Sequence, residues 1–182
     1  MAVRLLHACG WRLDLPPLPA DKLVLVFYPH TSNWDFPLGL LARFGSGWPV
    51  SWVGKHTLFR WPLHKLMVRL GGIPVDRGAA GDFVERMADE FARRDQLVLA
   101  ISPEGTRRHV DGLKSGFHRI ARRAGVPVAL GYIDYGSRTL GIADVITVSD
   151  DPDSDLERMR QAYAGRRGKH PALAGEFRFR RR

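Results

Sequence analysis

Short, continuously apolar runs that alternate with amphipathic helical stretches predict an α/β domain with a mostly parallel or mixed central sheet covered by helices. Three observations carry the prediction. Residues 23–28, 97–101 and 126–133 are apolar almost throughout, as strands buried on both faces are. The stretch 82–93 sets Phe83, Met87 and Phe91 on one helical stripe. The 182 residues contain no repeat, low-complexity tract or linker, so a single domain is expected over 1–182, long enough to bury a core without staples or metal. It divides into an N-terminal arm at 1–20, a motif-bearing core at 23–133 and a basic C-terminal tail at 165–182.

Taken in order, residues 2–12 read as a short amphipathic helix with Val3, Leu6 and Cys9 on one side, stopped by Pro16-Pro17-Leu18-Pro19. It is either a packing arm or a membrane-touching arm. Residues 23–28 form the first buried strand, and Pro29 ends it. A helix should start near Asn33 to Asp35 and reach about Phe44, with Pro37 tolerated because a first-turn residue has no intrahelical N–H bond to lose. A strand is expected at 50–53, a helical stretch at 62–70, a short strand at 73–75, the amphipathic helix at 82–93 and a strand at 97–101. Residues 102–112 read as a loop, 116–123 as a helix, 126–133 and 138–143 as strands, and 156–163 as a closing helix.

The formal charge of +9, with 23 Arg against 5 Lys, predicts attraction to an anionic partner: nucleic acid, an acidic phospholipid surface or an acidic carrier protein. None of the hallmarks of common nucleic-acid modules is present, so no nucleic-acid partner is expected. The tail Phe177-Arg178-Phe179-Arg180-Arg181-Arg182 reads as a frayed, solvated terminus, and its alternation would also suit an element lying on an anionic membrane surface. Cys9 is alone and cannot form an internal disulfide; the opening residues lack the pattern of a secretory signal, and no run approaches the ~18 apolar residues of a membrane span. A cytoplasmic protein that does not cross the membrane is expected.

Two motifs carry chemistry. His30-Thr31-Ser32-Asn33-Trp34-Asp35 leaves the carboxyl end of the first buried strand, where a side chain is exposed on an anchored backbone. In a continuous helix His30 and Asp35 would sit about 140° apart, so an irregular turn before a helix starting near Asp35 is needed to fold the imidazole over the carboxylate. An Asp that accepts one imidazole N–H fixes the tautomer and leaves the other nitrogen to take a proton, which makes His30 a general base. Alone, the pair is weak evidence: 7 His and 14 Asp give about 0.5 His-x4-Asp pairs by chance, and capping roles for both residues would suffice. The second motif, Glu104-Gly105-Thr106-Arg107, is expected by chance on the order of 0.002 times per chain. If the strands are parallel, both motifs face one crevice. Arg107 can grip a phosphate through two charge-assisted bonds, Gly105 permits close backbone approach, and Glu104 can orient the arginine or accept from an acceptor hydroxyl.

No Gly-x-Ser-x-Gly elbow is present and Cys9 lies in the arm, so His30 would activate the substrate's own nucleophile. No metal site is expected: His56 and His64, and His109 and His118, lack the companion ligands that zinc spacing requires.

These residues resemble the glycerolipid O-acyltransferases typified by lysophosphatidic acid acyltransferase, in particular the short bacterial members, over about residues 23–133. Residues 30–35 match the family's His-x4-Asp block, which implies His30 as catalytic base and Asp35 as its partner. Gly72-Ile73-Pro74-Val75-Asp76-Arg77 resembles the second block, and Gly54-Lys55-His56-Thr57-Leu58 the stretch whose lysine helps bind acceptor phosphate. Ser102 to Arg107 match the third block, which contacts glycerol phosphate, and Val126-Pro127-Val128 resembles the hydrophobic fourth. The resemblance implies Lys55, Arg77 and Arg107 for anion recognition, with Glu104, Gly105 and Thr106 shaping the acceptor site. It further implies acyl-CoA or acyl-carrier protein as co-substrate with no other cofactor, and a lysophospholipid acceptor, foremost 1-acylglycerol 3-phosphate. A lyso-aminolipid or glycerol 3-phosphate is the alternative acceptor, and a non-catalytic basic lipid-surface or nucleic-acid binding module the rival reading. Ser102 and Arg108 depart from commoner choices, and the N-terminal hydrophobic helices of many members are not seen. That departure implies peripheral, electrostatic attachment to the inner face of the cell membrane, with residues 58–63 either a contact or ordinary helix–sheet packing.

Overall fold

The computed structural model describes residues 1–75 and 80–180. Seven strands form one mixed sheet: β1 (Arg12–Asp14), β2 (Lys22–Phe27), β3 (Val50–Lys55), β4 (Gly72–Val75), β5 (Leu97–Ile101), β6 (Val128–Asp134) and β7 (Thr139–Ile146), in the order β1-β7-β6-β2-β5-β3-β4. The strands β6, β2, β5, β3 and β4 run parallel to one another. β7 turns back antiparallel to β6, and β1 pairs parallel to β7. The helices are α1 (Ala2–Ala8), α2 (Asp35–Ser46), α3 (His64–Arg69), α4 (Ala80–Arg93), α5 (Gly116–Ala124) and α6 (Pro152–Ala162), with short 3-10 turns at His56–Phe59 and Pro171–Leu173.

Strand alternation sends successive side chains to opposite faces, and both faces are covered. Val24, Val26 and Tyr28, with Leu97, Leu99, Val128 and Leu130, meet Met87 and Phe91 of α4, Phe117 and Ile120 of α5, and Leu156 and Met159 of α6. On the other face, Leu23, Val98 and Ala129 pack with Trp48, and Leu38 of α2 packs with Leu6, Ile133 and Leu140. The continuous apolar runs are thus strands buried from both sides.

Several expectations need correction. The N-terminal helix ends at Ala8, and Leu6 is fully buried against α2, so one side of the arm packs on the domain. The edge strand β1 that follows was not expected. The helical stretch expected at 62–70 is the shorter α3, and a 3-10 turn at His56–Phe59 precedes it. The closing helix starts earlier than residue 156, because Asp151 caps it by accepting from the Asp153 and Ser154 amides, with Pro152 at its first position. The tail is not frayed through Arg180: the Leu113 amide donates to Arg178 O at 2.7 Å and the Arg180 amide to Leu113 O at 3.0 Å. Phe177 packs on Tyr28 and Phe179 on Phe117, which explains the Phe and Arg alternation as one side in, one side out. Among the described residues, no helix is long and apolar enough to cross a membrane.

Between α5 and α6, His118 Nε2 and Asp155 Oδ2 form a buried pair at 2.9 Å. Burial alone would push the Asp155 carboxyl up, but bonds from the Ser149 amide and from His118 outweigh it and hold it below its ordinary 3.8. A depressed carboxyl contributes stability above its unfolded value and loses it as pH falls through the folded one. Melting temperature followed from about pH 6 to about pH 2 should therefore fall on the acid side. Asp155→Asn should flatten that acid limb and lower stability at neutral pH by about 1–3 kcal/mol.

Candidate active site

The parallel strands β2, β5, β3 and β6 deliver their following loops to one edge of the sheet, so the two motifs 70 residues apart meet there. After β2, Pro29 has no N–H for the ladder and the chain turns irregularly until α2 begins at Asp35. The turn brings His30 Nδ1 to 2.9 Å from Asp35 Oδ2. Asp35 is 1% exposed and is met from three sides: the Ser32 amide donates to Oδ2 at 3.1 Å, and the Tyr135 hydroxyl, just past β6, to Oδ1 at 2.7 Å. Its place in the first turn of α2 also sets it in the favourable field of the helix N-terminus. The Asp35 carboxylate can only accept, so the 2.9 Å contact is a hydrogen bond in the tautomer with the proton on Nδ1, which leaves Nε2 as the acceptor. The His30 side chain keeps 15% exposure, and its ring lies 4.8 Å from that of Phe27.

Glu104 occupies a different position from the one its motif suggests. It is 1% exposed and points into the protein, where Oε2 accepts from the His30 amide at 2.6 Å and Oε1 from the Gly175 amide at 2.8 Å. Burial raises its carboxyl above the ordinary carboxylate value, and those two amides offset part of the rise. Gly175 O in turn accepts from the Tyr28 hydroxyl at 2.9 Å. Burial and the neighbouring Glu104 push the Tyr28 phenol up to about 12, so it remains a donor. Gly175 is needed for close approach: a Cβ there would come 2.7 Å from Val110 and 3.2 Å from Glu104.

The turn after Glu104 uses Gly105 with φ +64, and the Gly105 amide donates to Ser102 O at 3.2 Å. Thr106 Oγ1 accepts from the Arg108 amide at 3.3 Å, and the Arg107 side chain projects into solvent. Lys55 is exposed at the end of β3. Arg77 lies outside the described residues.

Beside His30, a cavity of about 310 Å³ is lined by Thr31, Ser32, Asn33, Trp34, Arg107, Lys169 and His170. The last two come from the tail and carry no motif. The tail is seated by the His170 amide donating to Thr31 Oγ1 at 3.2 Å, by Lys169 Nζ lying 5.3 Å from the Trp34 ring centre, and by Gly168, where a Cβ would fall 2.5 Å from Thr31. Neither Arg107 nor Lys169 has a carboxylate partner among the described residues, so the cavity wall carries two unpaired cations. A larger cavity of about 620 Å³ opens at the opposite, amino edge between Leu13, Leu18, Trp48 and Gln96. None of its lining residues is ionisable, so it offers no acid, base or charged anchor, and the smaller cavity is the functional candidate.

Of the unassigned histidines, His118 is paired with Asp155 and His64 Nδ1 lies 3.0 Å from Phe59 O. Among the described residues one group, His109, Asp111 and Glu176, brings its possible ligand atoms within 4.8 Å of one another, and all three are exposed.

A protein-family model described as Acyltransferase matches residues 14–130, well over half of the chain. The chain belongs to the acyltransferase family. The fold of this acyltransferase is similar to that in the crystal structure of the 1-acyl-sn-glycerophosphate (LPA) acyltransferase, PlsC, from Thermotoga maritima, with a TM-score of 0.58 and 18% identity. The similarity covers 88% of this acyltransferase and 72% of that chain. Among curated proteins, none matches it significantly. The family match runs from the last residue of β1 into the start of β6 and includes both motifs. It stops short of Tyr135, Lys169, His170 and Gly175, the residues at this edge that sequence reasoning missed.

The buried carboxylate gives a direct test. In Glu104→Gln the side-chain amide must face either the His30 or the Gly175 N–H with a second donor. That loses one bond and costs about 1–3 kcal/mol. Melting temperature should drop and acyl transfer should fall at least about tenfold, while Thr106→Ala should leave stability within about 0.5 kcal/mol. Tyr135→Phe keeps the ring packed on Trp11 and removes only the bond to Asp35, so stability should hold and turnover should fall about tenfold.

Proposed function

We propose that this acyltransferase moves a fatty acyl group from an acyl thioester to the hydroxyl of a lysophospholipid, foremost 1-acylglycerol 3-phosphate, at the inner face of the cell membrane. Acyl-CoA or acyl-carrier protein serves as donor. The observation that carries the reading is the His30 and Asp35 pair set beside a cavity walled by Arg107 and Lys169.

In this mechanism His30 Nε2 accepts the proton of the acceptor hydroxyl as its oxygen attacks the thioester carbonyl. The Asp35 carboxylate, fixed by Ser32 and Tyr135, orients the imidazole and stabilises the imidazolium that forms. Collapse of the tetrahedral intermediate breaks the C–S bond, and the departing thiolate takes the proton back from His30. No covalent acyl-enzyme is required. Burial and the adjacent Asp35 raise the Tyr135 phenol above its ordinary value, so it stays a donor to Asp35 over the whole working pH range. Arg107 and Lys169 bind the acceptor phosphate, Arg107 through paired N–H bonds and Lys169 as a point charge. Gly105 and Thr106 shape the turn that presents Arg107, Glu104 holds the His30 backbone, and Lys55 and Arg77 supply further positive charge for the anionic headgroup.

Transfer of a labelled acyl group from acyl-CoA and from acyl-carrier protein to a panel of lysolipids in mixed micelles tests this. Wild type should acylate the phosphate-bearing acceptor, and His30→Ala should reduce the rate by about 10² to 10⁴-fold. Equal rates for wild type and His30→Ala would remove His30 from the mechanism. Lys169→Ala and Arg107→Ala should each raise KM for the phosphate-bearing acceptor about tenfold with kcat little changed.

A further inference from the structure

We propose that the excursion between β3 and β4, residues 56–70, is the face with which the protein lies on an anionic phospholipid bilayer. The inference rests on the acyltransferase reading only for its biological sense; its physical basis is independent of the chemistry at His30.

A crossover between neighbouring parallel strands ordinarily lays the apolar side of its helix on the sheet. α3 buries none of its residues. Leu58, Leu63, Leu66 and Val68 are about half exposed and Trp61 is 91% exposed, five large apolar side chains within residues 58–68. Isolated exposed apolar residues are ordinary, but a contiguous group marks a surface made to meet something. The segment is nevertheless firmly anchored. Phe59 is buried with its ring 5.7 Å from that of Trp52, and Gly72 makes room for it, since a Cβ at that position would lie 2.7 Å from the Phe59 ring. The apolar group is thus held outward on a fixed base.

Charge selects the occupant. Residues 36–75 contain no Asp or Glu but five Arg or Lys, where an even spread of the 19 acids would place about four acids in such a stretch. Within the excursion Arg60, Lys65 and Arg69 interleave with the apolar side chains. A second copy of the chain docked face to face would oppose these cations with themselves. Anionic headgroups neutralise them while the apolar side chains enter the acyl boundary, and a tryptophan flanked by basic residues is suited to that depth.

The orientation follows from the topology. The excursion begins at the carboxyl end of β3, the edge that carries His30 and Glu104. Phe36, next to Asp35, packs edge-on against Trp52 at 4.8 Å, and Trp52 stacks on Phe59, so one aromatic row joins the dyad's helix to the docking segment. Docking by this face would turn the crevice towards lipid, and an acceptor could reach His30 without leaving the bilayer.

Flotation with phosphatidylglycerol-containing vesicles and with pure phosphatidylcholine vesicles tests the proposal on wild type, on Trp61→Ser/Leu66→Ser and on Arg60→Gln/Lys65→Gln/Arg69→Gln. Wild type should float with the anionic vesicles and less so as salt rises. Both variants should bind at least about tenfold more weakly at unchanged melting temperature, since every altered side chain is exposed. Their transfer to a water-soluble short-chain acceptor should stay at the wild-type rate while transfer to a vesicle-embedded acceptor falls. Variants that float like wild type would overturn the proposal. So would a wild-type dimer in vesicle-free solution that Trp61→Ser/Leu66→Ser converts to monomer, which would assign the face to a second copy. His30→Ala should float as wild type does: flotation without transfer by wild type to any acceptor would discard the reaction and keep the docking face, and transfer with undiminished flotation of the variants would do the reverse.

Discussion

The Glu104 carboxylate is withdrawn from water and accepts one hydrogen bond from the His30 amide and one from the Gly175 amide. A carboxylate in that position is tolerated only while donors hold both oxygens, and the donors here are main-chain groups of two distant segments. The turn after β2, the loop after β5 and the tail are therefore mutually dependent. Displacing any one of them strands a buried polar group in the other two. The stiffness this confers falls on the backbone of His30 itself, one residue before the side chains that line the cavity.

Asp35 is held in a comparable way, but by groups of three kinds: a main-chain amide, a phenol and the imidazole. The amide and the phenol fix the carboxylate, and the carboxylate fixes the ring. Tyr135 is in turn positioned by the N-terminal arm, whose Trp11 meets its ring edge-on at 4.9 Å. The arm thus bears on the site through one aromatic contact. The two buried carboxylates act on different parts of one residue. Glu104 sets where the His30 backbone lies, and Asp35 sets how its ring points.

How much was legible in the sequence depended on distance along the chain. The buried strands β2, β5 and β6 announced themselves because a strand covered on both faces must be apolar throughout. β1 did not, since a three-residue edge strand with two charged residues has no such run. The pairing of His30 with Asp35 was readable because a proline-ended strand and a helix start fix the turn between them locally. The rarity of the Glu104 to Arg107 run was readable as well, but not the direction in which Glu104 points. Its partners are amides 74 and 71 residues away, and an amide leaves no mark on residue identity. Tyr135 and the tail residues escaped for a related reason: each reaches the edge through a tertiary contact that no local pattern encodes. The Phe and Arg alternation of the tail was visible, yet only the bridge to Leu113 shows which side packs inward.

The Gly175 contact also sets an order of events during synthesis. Residues 22–134, with the central strands and both motifs, leave the ribosome before residue 175 does, so the sheet can form while Glu104 still lacks one of its two donors. In that interval the carboxylate is free to stay hydrated, and the His30 turn is pinned from one side only. Lys169 and His170 arrive after both motifs, just ahead of the glycine that locks them down. Until Gly175 is in place, Glu104 Oε1 has no main-chain donor and the cavity lacks the wall that Lys169 and His170 supply.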